Sequence, residues 1–434
     1  MKWVVTGIDF LVYALMVGLF TFFWLFWHSE ERHLIWRRIS EKPRYIIALM
    51  VLVLYGMIGF LDCIHLKTKG DNTAPISVLD AILSPLPFEQ EVTYSAPFAL
   101  KSASSEIVRT EQGTLEQVYP KLKFSGQHLQ SGWHKTQDIL IRMGYGVFLG
   151  LILTTFFYVL YRVGTRKKIK PCSHRRVINT FFITLGFIFC VIGMMAMLML
   201  EYHILGTDKI GRDVFYMSIK SIRTGLVIGT VTTLVMLPFA LLFGMLAGFF
   251  RGWVDGVIQY TYTTLSSIPG VLLITAAMLS FQARVQENPD LRLLILCAIL
   301  GLTSWTTLCR LLRAESLKIR SFDFILSAIA LGVTPIKIIS KHIMPNLIHI
   351  VIITVVLDFS GLVLAETVLS YVGVGVDPTT YSWGNMINAS RLELAHDPMI
   401  WWSLSGALFF MFCLVFSANV FSDALQEGLN PRTN

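Results

Sequence analysis

Long apolar runs are the feature of this sequence that most limits what it can fold into. A helix needs about 20 apolar residues to cross the hydrocarbon core of a bilayer. The sequence contains nine such runs, the seventh of them short. They are residues 3–27, 45–65, 139–161, 177–200, 222–250, 257–281, 293–308, a run that starts after Pro345, and 400–421. The chain is only 15% charged, against roughly 25% in soluble domains. An all-α, polytopic membrane protein is therefore predicted.

Lysine and arginine residues predict the side of the membrane on which each loop lies. Positive charge concentrates on cytoplasmic loops, and the most basic loops are residues 28–44, 162–176 and 310–346. With nine spans and an outside N-terminus, all three loops and the C-terminus fall inside. We expect a multi-pass protein of the inner (cytoplasmic) membrane with a cytoplasmic C-terminus. The formal net charge of +8 then reflects topology, which weakens a nucleic-acid-binding interpretation.

The N-terminal half of the chain divides into three parts that precede a core at residues 201–434. Residues 1–66 hold two predicted transmembrane helices, the first of them retained, since it ends in an aromatic belt and not in a cleavage site. Residues 67–138 are polar, rich in proline and free of cysteine. We interpret them as an extracytoplasmic insert of about 70 residues, which is too small for a robust core and is expected to lean on the membrane domain. Residues 139–200 hold two further transmembrane helices.

The basic loop at residues 310–346 contains an amphipathic stretch. Phe322, Ile325, Leu326 and Ile329 recur at helical spacing, and Gly332 follows where a short helix would end. A helix of about three turns is marginal alone in water, so its apolar face is expected to pack into the groove of a partner. The alternative is an ordinary amphipathic loop helix without a partner.

This stretch resembles the EAA loop of ABC importer permeases, which combines a small-residue helix, a fixed glycine and a later hydrophobic–proline pair. Leu326 stands where the family carries an acid, so this chain lacks a carboxylate for an ion pair there. The apolar docking face remains. The resemblance implies that the loop couples the chain to an ATPase through Phe322, Asp323, Ile325, Leu326, Ser327, Ala328, Ile329, Gly332, Met344 and Pro345.

A second stretch, residues 203–226, resembles the GTDxxGRD signature of the oligopeptide/dipeptide branch of ABC permeases. Taken alone, Thr207 or Asp208 can cap the helix that follows, and the acids can pair with the arginine at the membrane surface. Residues of this kind more often serve as helix caps or surface ion pairs than as part of a substrate site. A third match covers residues 364–387. The signature positions are Gly206, Thr207, Asp208, Gly211, Arg212 and Asp213.

Three residues inside the predicted spans are candidates for the translocation pathway. Pro269 interrupts the sixth span, either beside the pathway or as a packing kink. Asp358 and Glu366 lie in the eighth span, and because a charged acid at the bilayer centre is costly, both should face the bundle interior. Asp358 binds a cationic or amino-terminal group of a substrate, or else serves as a structural acid. For Glu366 the structural role is favoured.

The resemblance covers residues 205–432 and implies the transmembrane domain of a type I ABC importer, with extra N-terminal spans and the insert. It implies a C-type permease subunit that imports peptides or similar small solutes. Its expected partners are a second permease, two P-loop ATPases and an extracytoplasmic binding protein. The sequence contains no Gly-Lys dipeptide and hence no P-loop. We expect a transport subunit that is not an enzyme and has no cofactor, with ATP and Mg²⁺ on the partner ATPases.

Two other classes of function remain open on the sequence. An ion-coupled secondary transporter would use Asp358 and Glu366 as proton carriers, but no inverted repeat supports it. A membrane enzyme or assembly scaffold would use residues 67–138, which carry no clustered catalytic set. The six cysteines are scattered, so no metal site is expected.

Overall fold

The computed structural model describes most of the chain in two compact units. The described residues are 2–4, 13, 42–67, 76–84, 91–101, 106–109, 115–122, 133–164, 172–282, 288–396 and 399–429. Among these, unit 1 takes in residues 2–4, those from 42 to 223, and 381–417, and unit 2 takes in residue 13, those from 224 to 380, and 418–429.

Unit 1 combines small β-structures with long helices. One antiparallel sheet joins β1 (Lys2–Val4), β2 (His65–Lys67) and β3 (Ile76–Ser77), and a second joins β4 (Glu106–Arg109) and β5 (Leu115–Val118). Its helices are α1 (Pro43–Cys63), α2 (Val78–Ile82), α3 (Trp133–Gly164), α4 (Cys172–Met199) and α12 (Trp383–Glu393). Two long helices, α5 (Val214–Phe250) and α13 (Trp402–Leu429), have residues in both units.

In the described residues of unit 2, helices joined by turns and short loops are the regular secondary structure. It contains α6 (Gly252–Ser267), α7 (Gly270–Gln282), α8 (Pro289–Arg320), α9 (Asp323–Ala330), α10 (Pro335–Ile338), a π-helical turn (Ile339–Ile343) and α11 (Met344–Tyr371). One buried cluster lies where α5 and α8 pack closely. There Gly244 and Gly248 face the neighbouring helix so closely that a Cβ at Gly248 would lie 2.4 Å from Cβ of Ser316.

The helices agree with eight of the nine predicted spans. In the described part of the chain, seven helices are long and apolar enough to cross a membrane, and α6 with α7 forms a further pair bent by 85° at its break. That break falls at Ile268 and Pro269, where the sequence predicts an interruption. The first predicted span, 3–27, lies outside the described residues except for Trp3 and Val4, which belong to β1, and Tyr13.

Two helices begin much earlier than predicted, whereas the starts of the others differ by a few residues. α5 starts at Val214 and not at Ile222, because a side chain just before it caps the helix, as described below. The eighth span was expected to start after Pro345, but helix begins at Pro335 and continues through the π turn into α11. Proline at the first position of a helix costs little, since the missing amide has no partner there in any case.

Candidate functional site

The segment predicted to be a loop that docks a partner, residues 310–346, is named the docking loop. It begins inside α8, because that helix runs to Arg320 and does not end at residue 308 as predicted, and it ends inside α11. Between these two helices it carries a separate short helix, α9. α9 ends in a left-handed turn at Gly332, whose φ is 75°. The amides of Gly332 and Val333 donate to carbonyl groups in the last turn of α9, which are the two bonds of a Schellman motif. The predicted short helix and its glycine end are confirmed.

One face of α9 is anchored within unit 2 by Ile325, which is fully buried. It belongs to a cluster with Leu312 and Ile319 of α8 and Ile338 of α10, and Ala328 packs against the same cluster. Ile325 was predicted on the docking face together with its neighbours. The structure places it beneath the helix, where it holds α9 on its own chain.

On both sides of the buried Ile325, α9 and the turn that follows it expose large apolar side chains. Phe324, Leu326 and Leu331 are 48%, 51% and 83% exposed. A Cβ added at Gly332 would meet no atom within 4 Å, so the chain leaves open space beside the turn. The other predicted docking residues that are exposed are Phe322, Asp323, Ser327, Ile329, Met344 and Pro345.

The signature loop, residues 203–213, is organised by Asp208. Its Oδ1 accepts hydrogen bonds from the amides of Ile210 and Arg212, both at 2.8 Å. Its Oδ2 accepts from the guanidinium of Arg212 at 3.1 and 3.0 Å. The predicted acid–arginine pair is therefore present, and the same carboxylate also closes the turn.

A segment of the insert, residues 91–101, is hydrogen-bonded along the signature loop. The amides of Glu91 and Tyr94 donate to the carbonyls of Gly211 and Asp208, at 3.0 and 3.1 Å. This part of the insert therefore packs on the loop that immediately precedes α5.

The side chain of Thr207 lies at the centre of this contact. It is fully buried, and its Oγ1 accepts from the amide of Ser95 at 2.8 Å while donating to the carbonyl of Val92 at 2.9 Å. Gly206 and Gly211, the two glycines of the signature, permit the close approach of the insert to the loop. A Cβ at Gly211 would lie 1.9 Å from the carbonyl oxygen of Glu91.

Asp213 caps the helix that follows the signature, a role that the sequence assigned to Thr207 or Asp208. Its Oδ1 accepts from the amide of Tyr216 at 2.7 Å, and its Oδ2 is hydrogen-bonded to Nδ1 of His203 at 2.5 Å. The earlier assignment was wrong because both other side chains are already engaged with the insert or the turn. All six signature residues therefore act within unit 1.

Comparison with known proteins places the docking loop, but not the signature loop, within a family match. The family model described as "Binding-protein-dependent transport system inner membrane component" matches residues 240–434. The dipeptide transport system permease protein DppC of Bacillus subtilis is 28% identical over 230 residues, which cover 53% of this chain and 69% of the relative. The oligopeptide transport system permease protein OppC of Haemophilus influenzae is 29% identical over 231 residues, 53% of this chain and 71% of the relative. The OppC of Bacillus subtilis is 26% identical over 230 residues, 53% of this chain and 72% of the relative.

These matches show that the chain is similar to C-type permease subunits of oligopeptide and dipeptide ABC transporters. It is thus a multi-pass transport subunit, as the sequence predicts. The match to these relatives covers about half of the permease.

The candidate pathway residues of the permease lie in unit 2. Asp358 is half-buried on α11, and no ion pair or hydrogen bond of its carboxylate is found among the described residues. Glu366, two turns further along, is 2% exposed and accepts a hydrogen bond from the hydroxyl of Ser370 at 2.6 Å. That contact fits the structural role favoured for Glu366. Pro269 marks the 85° bend between α6 and α7.

Sequence reasoning missed a buried charge cluster around Lys220 of α5. Its Nζ lies 2.6 Å from Oδ1 of Asp62 and 2.6 Å from Oδ1 of Asp80, and donates to Oγ of Ser77. The hydroxyl of Tyr216 also donates to Asp80, at 2.8 Å. Burial alone would raise the pKa of Asp80, but the hydrogen bond and charge of Lys220 outweigh it and hold that pKa below its ordinary value. The cluster ties the N-terminal helix α1 and the insert to α5.

A second missed contact involves Arg313, within the part of the docking loop that belongs to α8. The guanidinium of Arg313 on α8 forms a two-pronged ion pair with the carboxylate of Asp255 on α6, with Nη2 2.6 Å from Oδ2. Paired hydrogen bonds of this kind fix orientation as well as adding energy. The signal in the sequence was the charged turn just before the sixth predicted span, which holds Asp255.

Proposed function

We propose that this permease lines the solute pathway of an ATP-driven importer of the inner membrane, together with a second permease chain. Two P-loop ATPases bind its docking loop, carry ATP and Mg²⁺ and hydrolyse the nucleotide, whereas this chain holds no cofactor of its own. An extracytoplasmic binding protein delivers the solute. The observation that carries the proposal is the exposed apolar face of α9 on a permease of this family.

The docking face has the form that a partner groove requires. Ile325 and Ala328 fasten α9 to its own unit, so the helix is preformed and its order is not lost when the partner leaves. Phe324 and Leu326 stay exposed on a rigid base, and burial of apolar area of this kind is the main source of affinity for helix-in-groove contacts. Movement of the ATPases can then bias the permease between inward- and outward-open states.

The names of the relatives support peptides as the transported solutes. DppC and OppC are described as permeases of dipeptide and oligopeptide transport systems. A peptide carries an amino-terminal cation, and Asp358 offers a half-buried carboxylate on a membrane-spanning helix. We infer that Asp358 contacts the amino group during passage. The C-terminus lies in the cytoplasm, on the same side as the docking loop.

Copurification tests the assembly. The C-terminally tagged permease is extracted from membranes in mild detergent, and the bound proteins are identified by mass spectrometry. We expect a second polytopic permease and one or two P-loop ATPases. Recovery of this chain alone, repeated after crosslinking in intact membranes, would overturn the proposal and favour ion-driven transport through Asp358 and Glu366.

Gly332→Arg tests the docking loop in particular. The new side chain projects into open space, so the membrane domain should fold while ATPase recovery and ATP-driven uptake fall at least tenfold. Gly373→Arg is the matched control for ATPase recovery, because Gly373 also has a positive φ, 87°, and nothing within 4 Å. Normal uptake and normal ATPase recovery in Gly332→Arg would contradict the docking model.

A further inference from the structure

Helices α3 and α4 form a hairpin at the periphery of unit 1. Only 11% and 6% of the residues in their membrane-crossing windows are buried, against 28–50% for the other five candidate spans. The family match that begins at residue 240 does not include them. In a bilayer, most of the surface of this hairpin therefore faces lipid or another membrane helix.

The seam of the hairpin changes character along its length. Near the N-terminal half of α3 the contact is made by glycines, and a Cβ at Gly146 or Gly150 would lie 2.5 or 2.6 Å from the backbone of α4. Near the C-terminal end of α3 the contact is aromatic instead. The ring centroids of Tyr158 and Phe182 are 5.1 Å apart, and those of Phe157 and Phe189 are 5.8 Å apart.

A groove of about 510 Å³ opens at this aromatic end of the seam. Its volume lies within the range of about 300–1,000 Å³ usual for small-molecule sites. Its lining is entirely apolar apart from one phenol ring. The lining residues include Phe157, Leu160, Tyr161, Phe181, Phe182 and Leu185.

Positive charge is concentrated at the same end of the hairpin. The guanidinium of Arg162, in the last turn of α3, lies 6.0 Å from the centroid of the Tyr158 ring, one turn back along the helix. Residues 162–176 carry seven Lys/Arg and no acid, and the adjoining runs 139–161 and 177–200 have no acid either. No carboxylate of the hairpin near the groove thus neutralises this charge.

We propose that the groove binds one acyl chain of an anionic phospholipid whose phosphate contacts Arg162. An apolar slot that ends at a basic membrane boundary matches a lipid with an apolar tail and an anionic head group. A second copy of this chain fits less well, because it would bring seven further positive charges to the same boundary. The site lies outside the docking loop and the candidate pathway.

Lipid retention tests the site on the full permease with the subunits that copurify. The assembly is reconstituted into nanodiscs of equal parts phosphatidylcholine and phosphatidylglycerol, extracted in mild detergent and examined by native mass spectrometry. We expect phosphatidylglycerol to be retained several-fold over phosphatidylcholine. Arg162→Gln should bring that ratio close to one, and Leu185→Trp, which fills the groove, should abolish retention of the bound lipid.

Matched controls separate the groove from general effects. Ile183→Trp places the same ring on α4 at a position that is 73% exposed and outside the groove, and Lys135→Gln removes one charge from the other end of α3. Both should retain phosphatidylglycerol as the parent does. Equal retention of the two lipids by the parent, or unchanged retention in Leu185→Trp, would overturn the proposal. So would a crosslink from Leu160→Cys to the second permease in intact membranes, because a helix would then occupy the groove.

Discussion

The signature loop and the docking loop are both polar stretches marked by a family motif, yet their side chains end in opposite environments. In the signature loop, Thr207 and Asp208 are buried and their oxygens are bonded within unit 1. In the docking loop, Phe324 and Leu326 are about half exposed. The polar groups of the signature loop are hydrogen-bonded within its own chain, whereas the docking loop leaves apolar side-chain area uncovered.

The difference shows that a motif alone does not say whether a residue works inside its own chain or on a partner. The signature residues hold the insert and cap α5, which explains their residue types without any solute. Within unit 2 such an explanation is found for Ile325 and Ala328, which pack on the buried cluster, and for Gly332, which ends α9, but not for the exposed apolar docking residues. Substitutions in the first loop should therefore change stability, and substitutions in the second should change assembly.

The largest effect is expected from Lys220→Met in the charge cluster beside the signature helix. The change leaves the carboxylates of Asp62 and Asp80 buried without their cation, and breaking a buried ion pair in this way costs about 3–5 kcal/mol. Thermal unfolding of the purified permease in detergent should show a large loss of stability. An unchanged unfolding midpoint would mean that the cluster does not hold the N-terminal helix.

Gly211→Ala should be the next most damaging change. Its φ of 83° strains any L-residue by about 1–2 kcal/mol, and the new methyl would collide with the carbonyl of Glu91. Gly332→Ala is the matched control, since it shares the positive φ but has open space around it. If the two variants lost equal stability in the same unfolding assay, the contact with the insert would contribute nothing.

Within α9 itself, Ile325→Ala and Leu326→Ala should separate stability from docking. Removing a fully buried isoleucine side chain costs about 2–5 kcal/mol, whereas an exposed leucine contributes less than about 0.5 kcal/mol to the fold of its own chain. Unfolding measurements and ATPase copurification report the two effects. Loss of ATPase without loss of stability is expected only in Leu326→Ala, and the reverse order would contradict the assignment of the two faces.

Hydropathy and local motifs predict this fold well, because the cost of burying charge in lipid is a property of each segment by itself. Eight spans, the break at Pro269 and the end of α9 at Gly332 are all local features. The Lys220 cluster joins residues 140 positions apart, and no local pattern specifies such a pair. The available signal in the sequence was weak. It consisted of a lysine beside one apolar run and of isolated acids near other apolar runs.

The site was predicted less completely than the fold. Helical spacing groups residues around a helix, but it does not show which of them the rest of the chain covers and which stay exposed. Ile325 and Leu326 are adjacent in the sequence, yet one is buried and the other exposed. The sequence likewise offered Thr207 or Asp208 as the cap of α5, but tertiary contacts with the insert and the turn engage both side chains, and Asp213 caps the helix instead.

The smallest effect is expected from Glu393→Gln, beside the signature loop. Glu393 is 2% exposed, and burial, together with the charge of Asp208, raises its pKa. A carboxyl whose pKa is raised in the folded state destabilises that state once it is ionised. Glu393→Gln should therefore raise the unfolding midpoint at pH 7 by about a degree or two. As the pH falls through the raised pKa, the parent takes up its proton and the difference should shrink. A midpoint difference that stayed constant from pH 7 to pH 4 would show that neighbouring groups stabilise the ionised carboxylate of Glu393. In that case the polar groups of the signature loop would not all be satisfied by contacts within the loop, as those of Asp208 are.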